Sequence, residues 1–264
     1  MARLVLLEKL YGPEEVKAGH LFQRSLSRVA SNLDGAVDFR GKTSRNWIQV
    51  DVHGSETTIL TNYLRQQYGI AAVSLDDVQE HETRKGKIVD AGKVGYGVYV
   101  DIGILTPESI DVLIPLHALR RQLADGAKLS TKQIIASFCL WANFPLDVRI
   151  TKVDREKRDV EAVISDRQVA VFQDWLRLGL DRLIAYGASI DTLRQAVRRS
   201  DLSRDVIEVN PLGLMEHSIL CKLGTAGPGV VNTLGRSLPG SPLCVFRPKV
   251  IRTIPPGRRD GQAG

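Results

Sequence analysis

Residues 92–104, GKVGYGVYVDIGI, set Gly92, Gly95, Gly97 and Gly103 among β-branched and aromatic residues. Glycine at that density weakens a helix, and an ordinary buried strand has little use for it. A bent barrel strand does need glycine at its corners. Flat rings at Tyr96 and Tyr99, on a strand lightened by glycine, would also make a platform for nucleic-acid bases. Both readings give the same strand. Its surroundings decide what the strand belongs to.

Working outward, short strands are expected at 87–94, 96–102, 112–116, 146–153 and 160–164, each bounded by turn signals. One longer excursion, 120–144, falls between the third and the fourth. Five strands with a helical insertion there describe an OB-type barrel over 83–166. Before it, 4–10 reads as a strand and 13–33 as an amphipathic helix opened by Pro13. A strand at 47–52 follows, then a helix at 55–69 with Ser55 as N-cap and Gly69 at its end, then a strand at 70–75. Residues 1–82 are therefore expected to form an α/β domain. After the barrel, helices at 167–186 and 190–199 suggest a helical hairpin, 167–200. Strands near 206–209, 215–223 and 243–251 and a Pro228-started helix to Leu238 give a small C-terminal α/β domain, 201–251. A polar tail, 252–264, closes the chain. The fold class is α/β plus an all-β barrel.

At 264 residues and 43% apolar composition the chain is globular, with room for two or three domains. No run approaches the ~20 apolar residues of a membrane span, so no membrane partner is expected. Glu8 and Lys9 interrupt the first apolar run, which suits a strand better than a secretion signal. Cys139, Cys221 and Cys244 form no disulfide framework, which points to the cytoplasm. No cofactor or small-molecule substrate is evident.

Net charge is +6, and it is unevenly spread: −1 over 1–84, +1 over 85–166 and +6 over 167–264. The C-terminal excess is mostly arginine, whose planar fork suits phosphates and bases. Arg194, Arg198 and Arg199 follow one helix, where like charges at i,i+4 repel unless an anion lies between them. Arg204, Lys222, Arg236, Arg247, Lys249, Arg258 and Arg259 complete the set of candidate phosphate contacts. A merely solvated basic face is the competing reading.

The barrel segment resembles the S-one domain, the OB-fold RNA-binding repeat of the ribosomal protein of that name. The resemblance spans about 80 residues and is carried by Gly86, Tyr96-Gly97-Val98-Tyr99-Val100, Leu113-Ile114, Val153-Asp154 and Ser165. It implies base stacking on Tyr96 and Tyr99, with Asp154 and Arg158 as an acid–base pair beside them and Arg155 and Lys157 on the basic turn. The sequence departs from the family on the third strand. Pro115 stands where a histidine is frequent, and His117 lies two residues on, so a surface that reads RNA shape or backbone stays open. The chain as a whole also resembles an uncharacterised archaeal family with this central domain and a C-terminal EHSILCKLGT…LGRSLPG signature. That resemblance implies binding to ribosomal RNA or ribosomal subunits, with a silencing role. The domain order is also similar to the initiation-factor alpha subunit of archaea and eukaryotes.

Several motifs fall short of their chemistry. GAVDFRGKTS nearly spells a phosphate loop, but its glycines are one residue too far apart. A basic loop touching phosphate through Arg40, Lys42 and Arg45, or a plain solvated turn, remains. GTAGPG (224–229) joins a strand to a helix, so Gly224 and Gly227 could present free N–H groups to an anion. A tight connection is the bland alternative. His217, Cys221 and Cys244 lack metal-ligand spacing and are expected in the core. No nucleophile elbow or acidic nuclease cluster appears. The expected function is non-catalytic binding of structured RNA on the ribosome, with an exosome-cap-like processing subunit or an initiation-factor-alpha-like translation factor as the alternatives.

Overall fold

The computed structural model describes residues 2–31 and 33–257. Strands β1 (Ala2–Lys9), β2 (Gly35–Lys42) and β3 (Trp47–Gly54) form an antiparallel sheet, order β1-β3-β2. Helices α1 (Glu15–Ala30) and α2 (Thr57–Tyr68) supply Phe22, Leu26, Leu60 and Leu64 to a core with Val37, Val50 and Val52. Three expectations change here. GAVDFRGK is an edge strand and no loop, because Val37 and Phe39 alternate inward between exposed neighbours. The segment expected as a third strand is split: Ile70 bridges Leu6 of β1 antiparallel, while β4 (Val73–Ser74) pairs with the barrel. Ser55 also does not cap α2; the N-cap position is Glu56, and the Ser55 hydroxyl donates to the Asp34 carboxylate at 2.5 Å.

Asp51, at the centre of this sheet, accepts from Arg3 Nε at 2.9 Å and Arg40 Nε at 2.5 Å, one from each flanking strand. The Arg3 hydrogen bond, helped by Arg40, holds its carboxyl down at about 2. A carboxyl held below its ordinary value of about 4 stabilises the fold above that value, and the contribution fades as pH falls toward about 2. Acid should therefore loosen this sheet between those limits. Amide exchange across β1–β3 as pH is lowered checks it, and Asp51→Asn should remove that step.

The barrel is built from β5 (Thr83–Val89), β6 (Gly97–Thr106), β7 (Ile110–Pro115), β8 (Pro145–Asp154) and β9 (Asp159–Ile164). Its pairing runs β6-β5-β8-β9-β7 and closes through β6–β7, with β7–β9 parallel. The excursion between third and fourth strands is two short helices, α3 (Leu116–Leu123) and α4 (Thr131–Phe138). The first barrel strand ends at Val89 rather than 94, because Asp90 and Gly92 both take positive φ and turn the chain.

The C-terminal sheet has order β11-β12-β10-β13: β10 (Arg182–Tyr186), β11 (Val206–Pro211), β12 (Glu216–Cys221) and β13 (Leu243–Phe246). The expected helical hairpin is replaced. Helix α5 (Asp166–Leu178) stops at Gly179, which is left-handed, and β10 intervenes before α6 (Ile190–Arg199). One face of this sheet packs under α6 and α7 (Gly227–Ser237) through Leu183, Ala185, Ile219, Leu193 and Leu234. The other face presents Ile184, Tyr186 and Phe246 to a core continuous with the barrel, joined by Phe138, Phe144, Phe172 and Trp175. Helix α8 (Pro248–Ile251) lies against α5, where Arg252 Nη2 donates to the Leu176 carbonyl at 2.5 Å.

Candidate nucleic-acid interface

The opening stretch divides its strand between two tasks. At its outer end Tyr96 is 57% exposed, and Tyr99, three residues on, is half-buried. Their hydroxyls lie 3.0 Å apart and their rings meet edge to face, centroids 6.3 Å apart. The hydrogen bond from Tyr96 pushes the Tyr99 hydroxyl up to about 12. Gly97 between them is required: a Cβ there would sit 2.4 Å from the Ile114 carbonyl oxygen on β7. The rings thus stand on a strand held close to its neighbour.

At its inner end the same strand carries Asp101, fully buried. It accepts from Lys9 Nζ at 2.9 Å and Trp47 Nε1 at 3.0 Å, and Arg45 Nε lies 3.1 Å away. Its other oxygen accepts from the Gly103 N–H at 2.9 Å. Every donor except Gly103 comes from the N-terminal unit, so Asp101 is the docking post of that unit on the barrel. Arg40, Lys42 and Arg45 are consequently occupied: Arg40 with Asp51, Lys42 with Glu15, and Arg45 with Asp101 and Asp111. The phosphate-touching loop suggested for them is not formed.

A second buried junction ties all three units. Lys87 on β5 donates to Glu8 of β1 at 2.8 Å and to Glu216 of β12 at 2.5 Å, and Tyr11 donates to Glu216 at 2.7 Å. Gly213 leaves the space, since a Cβ there would sit 2.3 Å from Glu216 Oε2. Burial alone would lower the Lys87 ammonium, but Glu216 and Glu8 raise it; burial raises Glu216. The sequence marks Glu8 only as an interruption of an apolar run and gives the other groups no role. Their only signal was charge inside otherwise apolar strands.

Around the tyrosines the expected residues are partly assembled. Tyr99, Lys157 and Arg158 line one shallow groove with Asp90, Glu108, Asp111 and Asp159. The acid–base pair expected between Asp154 and Arg158 is absent. Arg158 pairs with Glu108, because its positive φ at the β8–β9 turn carries it away, while Asp154 caps that turn by accepting from Lys157 N–H at 3.0 Å. Arg155 reaches back to the Val78 carbonyl at 3.1 Å. His117 is exposed on the first turn of α3, directly after Leu116, whose N–H donates to the Tyr96 carbonyl.

The C-terminal cations fall into two groups. Arg194 and Arg198 line a groove between α6 and the edge strand β11. Lys222, Gly224, Arg247 and Lys249 line another at the entrance of α7. There the Gly227 N–H is already taken by Asp181 Oδ2 at 2.9 Å, so the free-amide anion site suggested for it is filled by the protein itself. Arg199, Arg204 and Arg236 are exposed and join neither groove. Arg258 and Arg259 lie outside the described residues. His217, Cys221 and Cys244 are buried, with His217 Nε2 2.9 Å from the Ala188 carbonyl and burial lowering its imidazole to about 4. Among the described residues no cluster is arranged to hold a metal ion, and no helix is long and apolar enough to cross a membrane.

These features define a protein built around an OB-type barrel, flanked by two α/β units and bearing an aromatic pair of which Tyr96 is exposed. Residues 78–176 match the DUF2110 central domain and residues 180–246 match the DUF2110 C-terminal domain. Together these cover well over half of the chain, which belongs to the DUF2110 family. No curated protein matches it. Among solved structures, uncharacterized protein MJ1198 from Methanocaldococcus jannaschii aligns at 18% identity over 34% of this chain and 95% of that one, TM-score 0.23. The a/eIF2alpha-aDim2p-rRNA complex from Pyrococcus horikoshii OT3 aligns at 11% over 47% and 64%, TM-score 0.24. The intact alpha subunit of aIF2 from Pyrococcus abyssi aligns at 9% over 64% and 97%, TM-score 0.22. At such scores these likenesses carry no argument.

Proposed function

We propose that this protein binds ribosomal RNA without catalysing a reaction on it, and that by occupying a ribosomal subunit it silences translation. The observation that carries the reading is the Tyr96–Tyr99 pair, held on the barrel surface with Tyr96 mostly exposed. A large exposed ring on a rigid strand is costly to leave in water and is suited to stacking on an unpaired base. The groove beside Tyr99 holds four carboxylates against two cations. Attraction for phosphate is therefore weak at that spot. It has to come from the arginine-rich last third, which carries the whole excess charge. Stacking at the barrel and phosphate binding on the C-terminal unit divide recognition from positioning.

Co-sedimentation with ribosomal subunits over a salt series tests this. Neutralising Arg194, Arg198 and Arg199 to glutamine should weaken binding and flatten the slope of log affinity against log salt by about one unit for each phosphate no longer neutralised. These side chains are exposed, so melting should not change. An unchanged slope would make the arginines a solvated face, and migration with exosome subunits would favour the processing reading.

A further inference from the structure

We infer that the groove beside Trp141 receives a second nucleotide of the same RNA strand, its base against the indole and its phosphate near Lys132. This rests on the RNA-binding reading and extends it to a place the sequence did not single out. The groove, about 510 Å³, lies between the loop after β5 and helix α4, with Trp141, Ile135 and Ala136 as apolar wall and Lys93, Lys132 and Asp90 at its rim. That volume is in the roughly 300–1,000 Å³ range of sites for small ligands.

Three observations point to a base as the occupant. First, Trp141 is rigid. Its ring stacks on Tyr186, centroids 5.9 Å apart and planes 19° apart, and the Tyr186 hydroxyl donates to the Cys139 carbonyl at 2.5 Å. An indole clamped in place costs little further ordering when a second ring packs on it. Yet it is only half-buried, and its uncovered part lines the groove. Secondly, the charge suits a phosphate. Asp90 is paired with Lys93 at 2.6 Å, and Lys132 has no ion-pair partner among the described residues. Thirdly, Asp90 is also a wall of the groove that holds Tyr99, so the two grooves adjoin across the loop. The Thr131 hydroxyl pins that loop to α4 by donating to the Gly95 carbonyl at 2.6 Å, next to Tyr96. One strand of RNA could place successive bases on either side of Asp90.

The chain has three tryptophans. Trp47 is fully buried and Trp175 nearly so, which leaves Trp141 to respond to a stacking base. Hexaadenylate and hexauridylate, each end-labelled, are titrated into the full chain, with anisotropy reporting binding and intrinsic fluorescence reporting the site. Binding should quench tryptophan emission, and Trp141→Phe should abolish most of the quenching while keeping most of the affinity. Ala136→Glu puts a carboxylate on the exposed groove wall without touching the Trp141–Tyr186 stack. It should lower affinity roughly five- to a hundredfold, the worth of one base stack. Melting of each variant beside wild type shows whether it is folded. If an oligonucleotide binds with no quenching and Ala136→Glu binds as wild type does, this inference is wrong and the RNA reading stands. If wild type binds neither oligonucleotide nor ribosomal subunits at low salt, both fall.

Discussion

Replacing Lys87 by methionine should lower the free energy of unfolding by about 3–5 kcal/mol, the cost of removing one member of a buried ionic group and leaving its partners uncompensated. Lys87 is 1% exposed and is the only cation bonded to both Glu8 and Glu216 among the described residues. Without it two carboxylates share a site almost closed to water. Glu216 would keep only the Tyr11 hydroxyl, and Glu8 only the Leu214 N–H. The chain must then protonate both or open the junction. Opening separates three units at once, because Glu8, Lys87 and Glu216 belong to different sheets. Adding Glu8→Gln and Glu216→Gln to the lysine variant should restore much of the loss, since the unpaired charges go with the ion pair. Denaturant unfolding followed by amide exchange at the three strands makes the comparison, and exchange is needed because several units need not unfold as one. A loss under about 1 kcal/mol would mean that water reaches the junction.

The contrast between that junction and the barrel explains what the sequence could reveal. The barrel strands are legible because glycine and turn residues punctuate them. The aromatic–Gly–x–aromatic run also has few other uses. Strand β10, RLIAY, is hidden for the opposite reason. All five of its residues are buried, with α6 and α7 on one face and the barrel-side core on the other. A strand covered on both faces shows no alternation, and its apolar run continues the helical pattern of α5. Strand β2 does alternate, but its Gly-Lys-Thr ending points toward phosphate. The tyrosines can be placed from their own strand. The roles of Asp101 and Lys87 cannot, since their partners lie 92 and 129 residues away and only the folded chain brings them together. Arg158 departs from its expected partner for a local reason, the left-handed turn that swings it toward Glu108.

Tyr96→Ala should cost about 1–3 kcal/mol of RNA affinity, the worth of one base–aromatic stack, with little change in melting. From the sequence alone Tyr99 suits this test. The structure makes Tyr96 the cleaner choice, because Tyr96 is 57% exposed and gives the core little, whereas Tyr99 is half-buried on the barrel wall. Tyr99→Ala should therefore show both a loss of affinity and a loss of stability, and the two must be separated by measuring each on the same sample. Tyr96→Phe supplies the control. It keeps the ring and loses the hydroxyl bond to Tyr99, so it should retain most of the affinity. The Tyr99 hydroxyl, no longer held by Tyr96, should then titrate below the value of about 12 that this bond gives it. Stacking predicts alanine weak and phenylalanine strong. A hydroxyl that recognises RNA by hydrogen bonding predicts both variants weak. Wild-type affinity in the alanine variant would remove the tyrosine platform from the RNA interface and leave the Trp141 groove and the C-terminal cations to hold it.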